Sequence, residues 1–369
     1  MIVTCSQDRL NKAVQTVQKA IASKTPMPIL TGIYLAAKNN RLELQATDYE
    51  IGISCTIDAE VDEEGVTVLS GRMFQDMVRR LPGEKIRIET DQQDKTIKIT
   101  ADTSTFNLLC LPAEEFPVLT PFADDNVLYI KDNVLREMIK KTTFACATED
   151  SRPIFTGALL EASNQSVCMV ATNTHRLALK KDAIDSFEGM LKMIIPSKIL
   201  NEIARLLTSD IPFDVKISWQ KNQVSFFFDD VYIVSRLIEG AFPDYNKVIP
   251  QDFATIVTVK TDLFLDAVER VSLIAREGDY NIIKFHFKDN QIVITSANPE
   301  LGKAQEIITA DIKGNELDIA FNAKYVSDIL KNSNSEQVIF SLNTPLSPAA
   351  IRPEANDQYT YIITPVRAN

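Results

Sequence analysis

The sequence predicts an α+β protein made of three similar domains. An apolar strand running into a small-residue turn with Asp or Asn occurs three times, at Leu44–Glu50, Met169–Leu179 and Ile294–Glu300. Equivalent positions are about 125 residues apart, the length of a small domain rather than of a solenoid repeat. Each copy also carries two stretches with apolar residues at helical spacing and several with alternating apolar residues. We therefore expect each domain to pack two helices on antiparallel sheets.

The first copy sets the order of elements. Leu10, Val14 and Val17 share one face of a predicted helix, Asp8–Ile21, which follows a short strand, Ile2–Cys5. A second helix is predicted at Arg72–Leu81, where Pro82-Gly83 ends it. The remaining strands are predicted at Ile29–Ala37, Arg41–Ala46, Ile51–Ile57, Lys85–Glu89 and Thr96–Ala101.

The second and third copies repeat this order. Asp132 and Ser197 are suited to be the N-caps of helices Asp132–Ala147 and Ser197–Leu207, because their side chains accept backbone N–H groups. Strands are predicted at Gly157–Ala162 and Val167–Thr172, and a final one at Tyr359–Val366. The third copy has helices at Asp262–Arg276 and Ala323–Lys331. Similar Phe-Pro segments close the first two copies, so we predict domains at residues 1–122, 123–251 and 252–369.

Composition excludes several classes of protein. No basic region followed by an apolar run opens the chain, and no stretch approaches the ~18 apolar residues of a membrane span. The five cysteines are scattered without a C-x-x-C pair, which argues against a disulfide framework or a zinc site and favours the reducing cytoplasm. Glycine-rich nucleotide loops and common hydrolase motifs are absent. We therefore expect no cofactor and no metal.

Charge is distributed unevenly. The net charge is −11, which taken alone argues against nucleic acid as a partner. The predicted helices nevertheless hold 15 Lys and Arg against 9 Asp and Glu, whereas the rest of the chain holds 24 against 41. This division predicts one basic surface formed by helices on an acidic molecule. Ordinary amphipathic helices with basic polar faces explain the same counts, so charge alone leaves both interpretations open.

Four segments carry a resemblance to a known family. Ala171–Ala178, Gly240–Tyr245, Phe321–Tyr325 and Tyr361–Arg367 resemble the signatures of the bacterial DNA sliding clamps, the beta subunits of DNA polymerase III, and the resemblance runs from Ile2 to Arg367. It implies the DNA clamp fold and a head-to-tail homodimeric ring, lined by helices, around double-stranded DNA of any sequence. It also implies a cytoplasmic scaffold without enzymatic activity. Its partners would be DNA polymerase, the clamp loader and repair proteins, bound through short linear motifs, with no membrane involved.

The resemblance also implies three sets of site residues. The partner-binding set is Phe155, Thr172, Thr174, His175, Arg176, Leu177, Pro243, Val248, Asn322, Tyr325, Leu346, Ile362, Thr364, Pro365, Val366 and Arg367. Thr174 and Thr364 depart from residues common in the family. The DNA-binding candidates are Lys24, Arg72, Arg79, Arg80, Arg136, Lys140, Lys141, Arg152, Lys198 and Arg205. The ring-interface candidates are Phe106, Leu108, Leu273 and Ile274.

Two alternatives remain open from the residues alone. The His175-Arg176 pair at a strand end fits a recognition site, a capped strand end, or a hydrolase or transferase in which His175 acts with a nearby carboxylate. A protein-only adaptor with the same fold and no role on DNA is the other alternative. Retention on circular DNA separates this adaptor from a clamp.

Overall fold

The computed structural model describes residues 1–22, 24–91, 95–121, 126–149, 151–275, 281–354 and 358–367, without the side chain of Ser186. The α+β class is confirmed, since helices pack on sheets whose strand pairs are antiparallel throughout the described residues. None of the helices in these ranges is long and apolar enough to cross a membrane.

The helices in the described ranges are α1 (Gln7–Val17), α2 (Gly71–Val78), α3 (Asp132–Thr142), α4 (Ser197–Leu206), α5 (Thr261–Ala275) and α6 (Ala323–Ser333). Short 3-10 segments lie at Gln18–Ala20, Pro28–Thr31, Ala113–Glu115, Thr143–Ala145, Pro153–Phe155 and Tyr245–Val248.

The first strands are β1 (Ile2–Ser6), β2 (Gly32–Lys38), β3 (Arg41–Thr47), β4 (Ile51–Glu63), β5 (Gly65–Ser70), β6 (Lys85–Asp91), β7 (Thr96–Ala101), β8 (Ser104–Leu109) and β9 (Val127–Lys131). The middle strands are β10 (Gly157–Thr172), β11 (Arg176–Pro196), β12 (Asp214–Gln220), β13 (Gln223–Phe228) and β14 (Val231–Arg236). The last strands are β15 (Thr255–Lys260), β16 (Ile282–Lys288), β17 (Gln291–Asn298), β18 (Gly302–Thr309), β19 (Asp311–Gly314), β20 (Leu317–Asn322), β21 (Gln337–Leu342), β22 (Ala349–Pro353) and β23 (Tyr359–Ile363).

The chain divides into two compact units. Unit 1 comprises Met1–Asp132 and Thr208–Leu237, and unit 2 comprises Asn133–Leu207 and Ile238–Asn369. Unit 1 holds a twelve-stranded sheet with the main order β8-β7-β6-β1-β4-β14-β13-β12-β9. Strands β3, β2 and β5 extend the same sheet from β4. The predicted face of α1 is confirmed, because Leu10, Val14 and Val17 are all buried.

Unit 2 contains a seven-stranded sheet, β10-β11-β23-β22-β21-β15-β19, and a four-stranded sheet, β18-β17-β16-β20. Helix α5 packs on the four-stranded sheet, where its Phe264 meets Phe285 edge-on with ring centroids 5.9 Å apart. The Asn322 side chain accepts the N–H groups of Lys324 and Tyr325, which is the expected way to begin a helix such as α6. These packed elements hold the candidate site described below.

The structure corrects several predicted boundaries. Ser197 does not cap α4, because it is already the first helical residue and Pro196 occupies the cap without a side-chain hydrogen bond. The strands predicted at Gly157–Ala162 and Val167–Thr172 form one strand, β10, whose register shifts around Asn164. Helix α3 ends at Thr142 and continues only as a 3-10 turn. The predicted helix end at Arg276 and the predicted domain end at residue 122 lie outside the described residues, and the bounds of the three domains stay predictions.

Candidate functional site

The turn between β10 and β11 is held by its own side chains. The Asn173 carboxamide oxygen accepts the N–H groups of His175 and Arg176, both at 3.1 Å. The Thr172 hydroxyl donates to the Arg176 carbonyl oxygen at 2.6 Å and accepts the Thr174 N–H at 3.1 Å. Asn and Thr side chains that bond nearby backbone groups fix a tight turn, so the imidazole of His175 is presented to solvent from a defined backbone.

Thr174 adopts a left-handed backbone conformation, with φ of +77°. This region is unfavourable for β-branched residues, because the side chain crowds the backbone. Strain of this kind costs about 1–3 kcal/mol and occurs most often at functional sites. Threonine at this position thus has a conformational cost.

We expect Thr174→Gly to stabilise unit 2, since glycine adopts positive φ freely. The expected gain in unfolding free energy is about 1 kcal/mol, which is the relieved strain less the entropy cost of glycine. Thermal unfolding checks this, with Thr148→Gly as the control because Thr148 is exposed and outside the left-handed region. An equal or lower melting temperature for Thr174→Gly would contradict the assignment of strain.

Arg176 lies inside the protein, only 7% exposed. Its guanidinium forms an ion pair with Asp328 of α6, donates to the Phe144 carbonyl oxygen and lies 4.5 Å from the centroid of the Tyr325 ring. A buried charge left without its partner costs about 3–5 kcal/mol, so these contacts are needed together. Arg176 therefore fixes the turn against α6, and the structure makes it a positioning residue of the predicted partner-binding set.

An apolar surface continues from this turn. Leu177 and Ile362 are paired across β11 and β23, and both are buried in one hydrophobic cluster. Phe242 packs against that cluster and meets Phe155 edge-on, with ring centroids 6.3 Å apart. Val248, three residues after Tyr245 of the same cluster, is 48% exposed. Accessible apolar groups beside a buried cluster are typical of a binding groove.

The segment after β23 is hydrogen-bonded to the β10–β11 turn and to β20. The Thr364 N–H donates to the His175 carbonyl oxygen at 2.9 Å, and the Val366 N–H donates to the Ala320 carbonyl oxygen at 2.8 Å. Chain ends are usually disordered unless held in this way. The segment Thr364–Arg367 consequently forms a fixed wall between the β10–β11 turn and β20.

Two cavities in unit 2 contain predicted partner-binding residues. The first, of about 550 Å³, brings together Phe155, Thr174, His175 and Tyr325 of the partner-binding set with Arg152, which was predicted to contact DNA. The second, of about 530 Å³, is lined by Leu346, Val366 and Arg367 together with Lys284 and Asp318. Predicted partner-binding residues from distant parts of the sequence thus line shared cavities. Asn322 lines neither of these two cavities. Its side chain caps the start of α6.

Sequence reasoning missed several residues that build this groove. Asp328 and Phe144 hold Arg176, and Ile154 and Phe242 complete the apolar cluster. Phe242 stands in the quoted Gly240–Tyr245 motif and could have been selected from it. Asp328 carries no local signal, because its partner is 152 residues away in sequence.

Burial keeps two thiols and a phenol near the groove protonated. Burial raises the pKa of Cys146 to about 12 and that of Cys168 to about 11, so neither thiol is a ready nucleophile at neutral pH. Burial also raises the pKa of the Tyr361 phenol. In the described part of the chain, no hydrogen bond or ion pair joins the His175 imidazole to a carboxylate. These features do not favour the hydrolase or transferase alternative.

The DNA-binding candidates differ in their exposure. Lys24, Arg72, Arg79, Arg80, Lys140, Arg152, Lys198 and Arg205 are exposed, and Arg136 is half-buried. Lys141 is only 5% exposed, and its ammonium donates to the carbonyl oxygens of Asn332 and Ser333 at the end of α6. Burial also lowers the pKa of Lys141. Because its ammonium is already engaged with the α6 carbonyls, Lys141 is unsuited to phosphate contact.

The ring-interface candidates are accessible apolar residues on edges of their units. Phe106 is 42% exposed on β8, the edge strand of the unit 1 sheet, and Leu108 on the same strand is half-buried. Leu273 is 59% exposed in the last turn of α5, with half-buried Ile274 beside it. Strand β18 is likewise an edge strand, that of the four-stranded sheet. Exposed apolar groups next to unpaired strand edges commonly mark association surfaces.

Known proteins match this chain along its whole length. Models of the N-terminal, central and C-terminal domains of the DNA polymerase III beta subunit match residues 1–120, 129–244 and 246–367. The beta sliding clamps of Staphylococcus epidermidis and Staphylococcus aureus are 34% identical over 377 residues, covering 100% of this chain and 99% of each relative. The crystal structure of the DNA polymerase sliding clamp from Bacillus subtilis has a TM-score of 0.95 at 35% identity, with both chains fully covered. A Pseudomonas aeruginosa sliding clamp bound to griselimycin also has a TM-score of 0.95, at 28% identity and full coverage.

Paired helices on antiparallel sheets, repeated along the chain, make this a protein of the DNA clamp fold. The predicted resemblance is thereby confirmed. The chain belongs to the DNA polymerase III beta subunit family, that of the bacterial beta sliding clamps.

Proposed function

We propose that two copies of this chain close head to tail into a ring around duplex DNA and hold the replicative polymerase and repair proteins there. The observation that carries this proposal is the match of all three beta-subunit domains along the full length of the chain. The protein acts as a cytoplasmic processivity scaffold and not as an enzyme. Three similar domains, at residues 1–122, 123–251 and 252–369, make up each half of the ring.

The ring would meet DNA through basic side chains on its helices and nearby loops. These are the accessible candidates named above, without Lys141. Phosphate contacts carry no sequence information, so such a surface allows sliding. Arg79 and Arg205 also form ion pairs with acidic residues of their own helices, Asp76 and Glu202. Their attraction to phosphate is therefore weaker than that of unpaired cations.

Partner proteins, including the clamp loader, would bind the groove lined by Leu177, Ile362, Val366 and the 3-10 segment Tyr245–Val248. Its buried apolar cluster with exposed edges suits one or two aliphatic or aromatic anchors from a short disordered motif. In such interfaces a few buried side chains supply most of the binding energy. The fixed chain end Thr364–Arg367 is part of this groove and requires no folding on binding.

We expect the loaded protein to remain on closed circular DNA through a high-salt wash and to leave once the circle is cut. A ring is held by topology, whereas direct binding to phosphates weakens steeply with salt. The measurement is co-elution of labelled protein with nicked circles, before and after linearisation, using the host's clamp loader. Free short duplex serves as the control and should bind weakly. Equal retention on circular and linear DNA would refute the ring.

A further inference from the structure

We propose that Glu161 positions the wall of the docking groove that the 3-10 segment Tyr245–Val248 forms. This inference rests on the proposed docking function and adds a residue that sets the affinity for partners without contacting them. Glu161 lies on β10 and lines neither of the two cavities described above. Its carboxylate accepts a hydrogen bond of 2.6 Å from the hydroxyl of Tyr245, the first residue of the segment.

The segment Tyr245–Val248 has few directional contacts with the strands below it. The Tyr245 ring is buried in the hydrophobic cluster described above, and apolar packing of this kind has no preferred direction. The Asp244 side chain caps the start of the segment by accepting the Asn246 N–H, which is a local contact. Among the described residues, no backbone hydrogen bond joins Tyr245–Val248 to a strand. The Tyr245 hydroxyl is therefore the group that gives the segment a fixed direction against β10.

The hydrogen bond between Tyr245 and Glu161 is charge-assisted. Its length of 2.6 Å is typical of an O–H···O⁻ bond, which is about twice as strong as a bond between neutral groups. Burial, together with the Glu161 carboxylate, raises the pKa of Tyr245, so the phenol stays protonated and donates. Glu161 also forms an ion pair of 2.6 Å with Lys192, which lies directly opposite on β11. The Lys192 side chain is 60% exposed, and ion pairs of exposed groups contribute little.

Loss of the Glu161 carboxylate would release this wall. It leaves the buried Tyr245 hydroxyl beside the Cys168 thiol, which is 4.0 Å away and a weak hydrogen-bonding group. A buried polar group without a good partner is costly, so Tyr245 should turn toward water in part of the population. The backbone of Tyr245–Val248 moves with it and takes the exposed Val248 side chain out of place. A partner binds only the molecules whose wall is in position, so the apparent affinity falls in proportion to their fraction.

The test titrates a fluorescently labelled peptide, with one leucine and one phenylalanine as anchors, against variants of the full chain. Glu161→Ala should weaken binding about five- to tenfold, because fewer molecules have the wall in place. Glu161→Gln keeps a carbonyl oxygen that accepts from Tyr245, so its affinity should recover to within about twofold of the native protein. Lys192→Met is the matched control, since it removes only the exposed ion pair to the same carboxylate, and it should bind like the native protein.

A double-mutant cycle assigns the effect to this one hydrogen bond. Tyr245→Phe removes the bond from its other side and keeps the ring in the cluster, so it should weaken binding by a similar factor. The variant with both Glu161→Ala and Tyr245→Phe should bind no more weakly than either single variant, because the effects of two residues joined by one bond do not add. Thermal unfolding of each variant verifies that it is folded at the titration temperature, where a lower stability alone leaves the affinity unchanged.

The outcomes separate this inference from the docking function. Native affinity in Glu161→Ala overturns the positioning role of Glu161 alone. Losses that multiply in the double variant overturn it as well, and so does a Glu161→Gln variant as weak as Glu161→Ala. No binding of the peptide to the native protein overturns the docking function itself.

Discussion

Deleting Thr364–Asn369 should abolish peptide binding while the protein still dimerises and stays on circular DNA. The deletion removes the hydrogen bonds to His175 and Ala320, and with them the side chains of Val366 and Arg367 that line the second cavity. Loss of central anchor contacts in an interface costs about 2 kcal/mol or more, so affinity should fall at least about 30-fold. Strand β23 ends at Ile363 and remains intact, which preserves the sheet below the groove.

The measurement is fluorescence anisotropy of a labelled peptide titrated with full-length and shortened protein. Deleting only the last two residues is the matched control, because it keeps Thr364–Arg367, and its affinity should be unchanged. Sedimentation velocity run in parallel verifies that the shortened protein is still a dimer. Undiminished affinity in a shortened dimer would place the groove elsewhere.

Replacing Leu273 and Ile274 by glutamate should convert the dimer to a monomer. Both side chains lie at the end of α5, where we propose that they meet Phe106 and Leu108 of the second copy. A carboxylate buried at an interface without a partner costs several kcal/mol, so dimer affinity should fall at least about a hundredfold. A head-to-tail contact uses two different patches, so Phe106→Glu on the opposite patch should have the same effect.

Leu263→Glu is the matched control on the same helix. Leu263 is 48% exposed, like Leu273 an accessible leucine, but it lies near the start of α5 and ten residues away. Sedimentation velocity should show a dimer for this control and a monomer for the other two variants, which should also be lost from circular DNA. A stable dimer in both interface variants would refute the assignment of these patches.

Local patterns in the sequence determined much of the fold. Helical spacing located all six helices of the described chain, and alternation located most strands of the first copy, because both reflect burial of one face of a single element. The threefold repeat and the motifs around His175 and Pro365 indicated the family without any tertiary information. The start of α4 was misjudged, since serine is a good cap by propensity but here Pro196 takes that position.

Only the tertiary structure decided the roles of individual charged residues. Lys140 and Lys141 look equivalent in sequence, yet Lys141 is buried because it bonds the final carbonyl groups of α6, almost two hundred residues along the chain. Arg176 likewise positions the turn through Asp328 of α6. Sequence patterns reflect contacts between residues a few positions apart. Long-range packing, in contrast, decides which charges are buried, paired or available to a ligand.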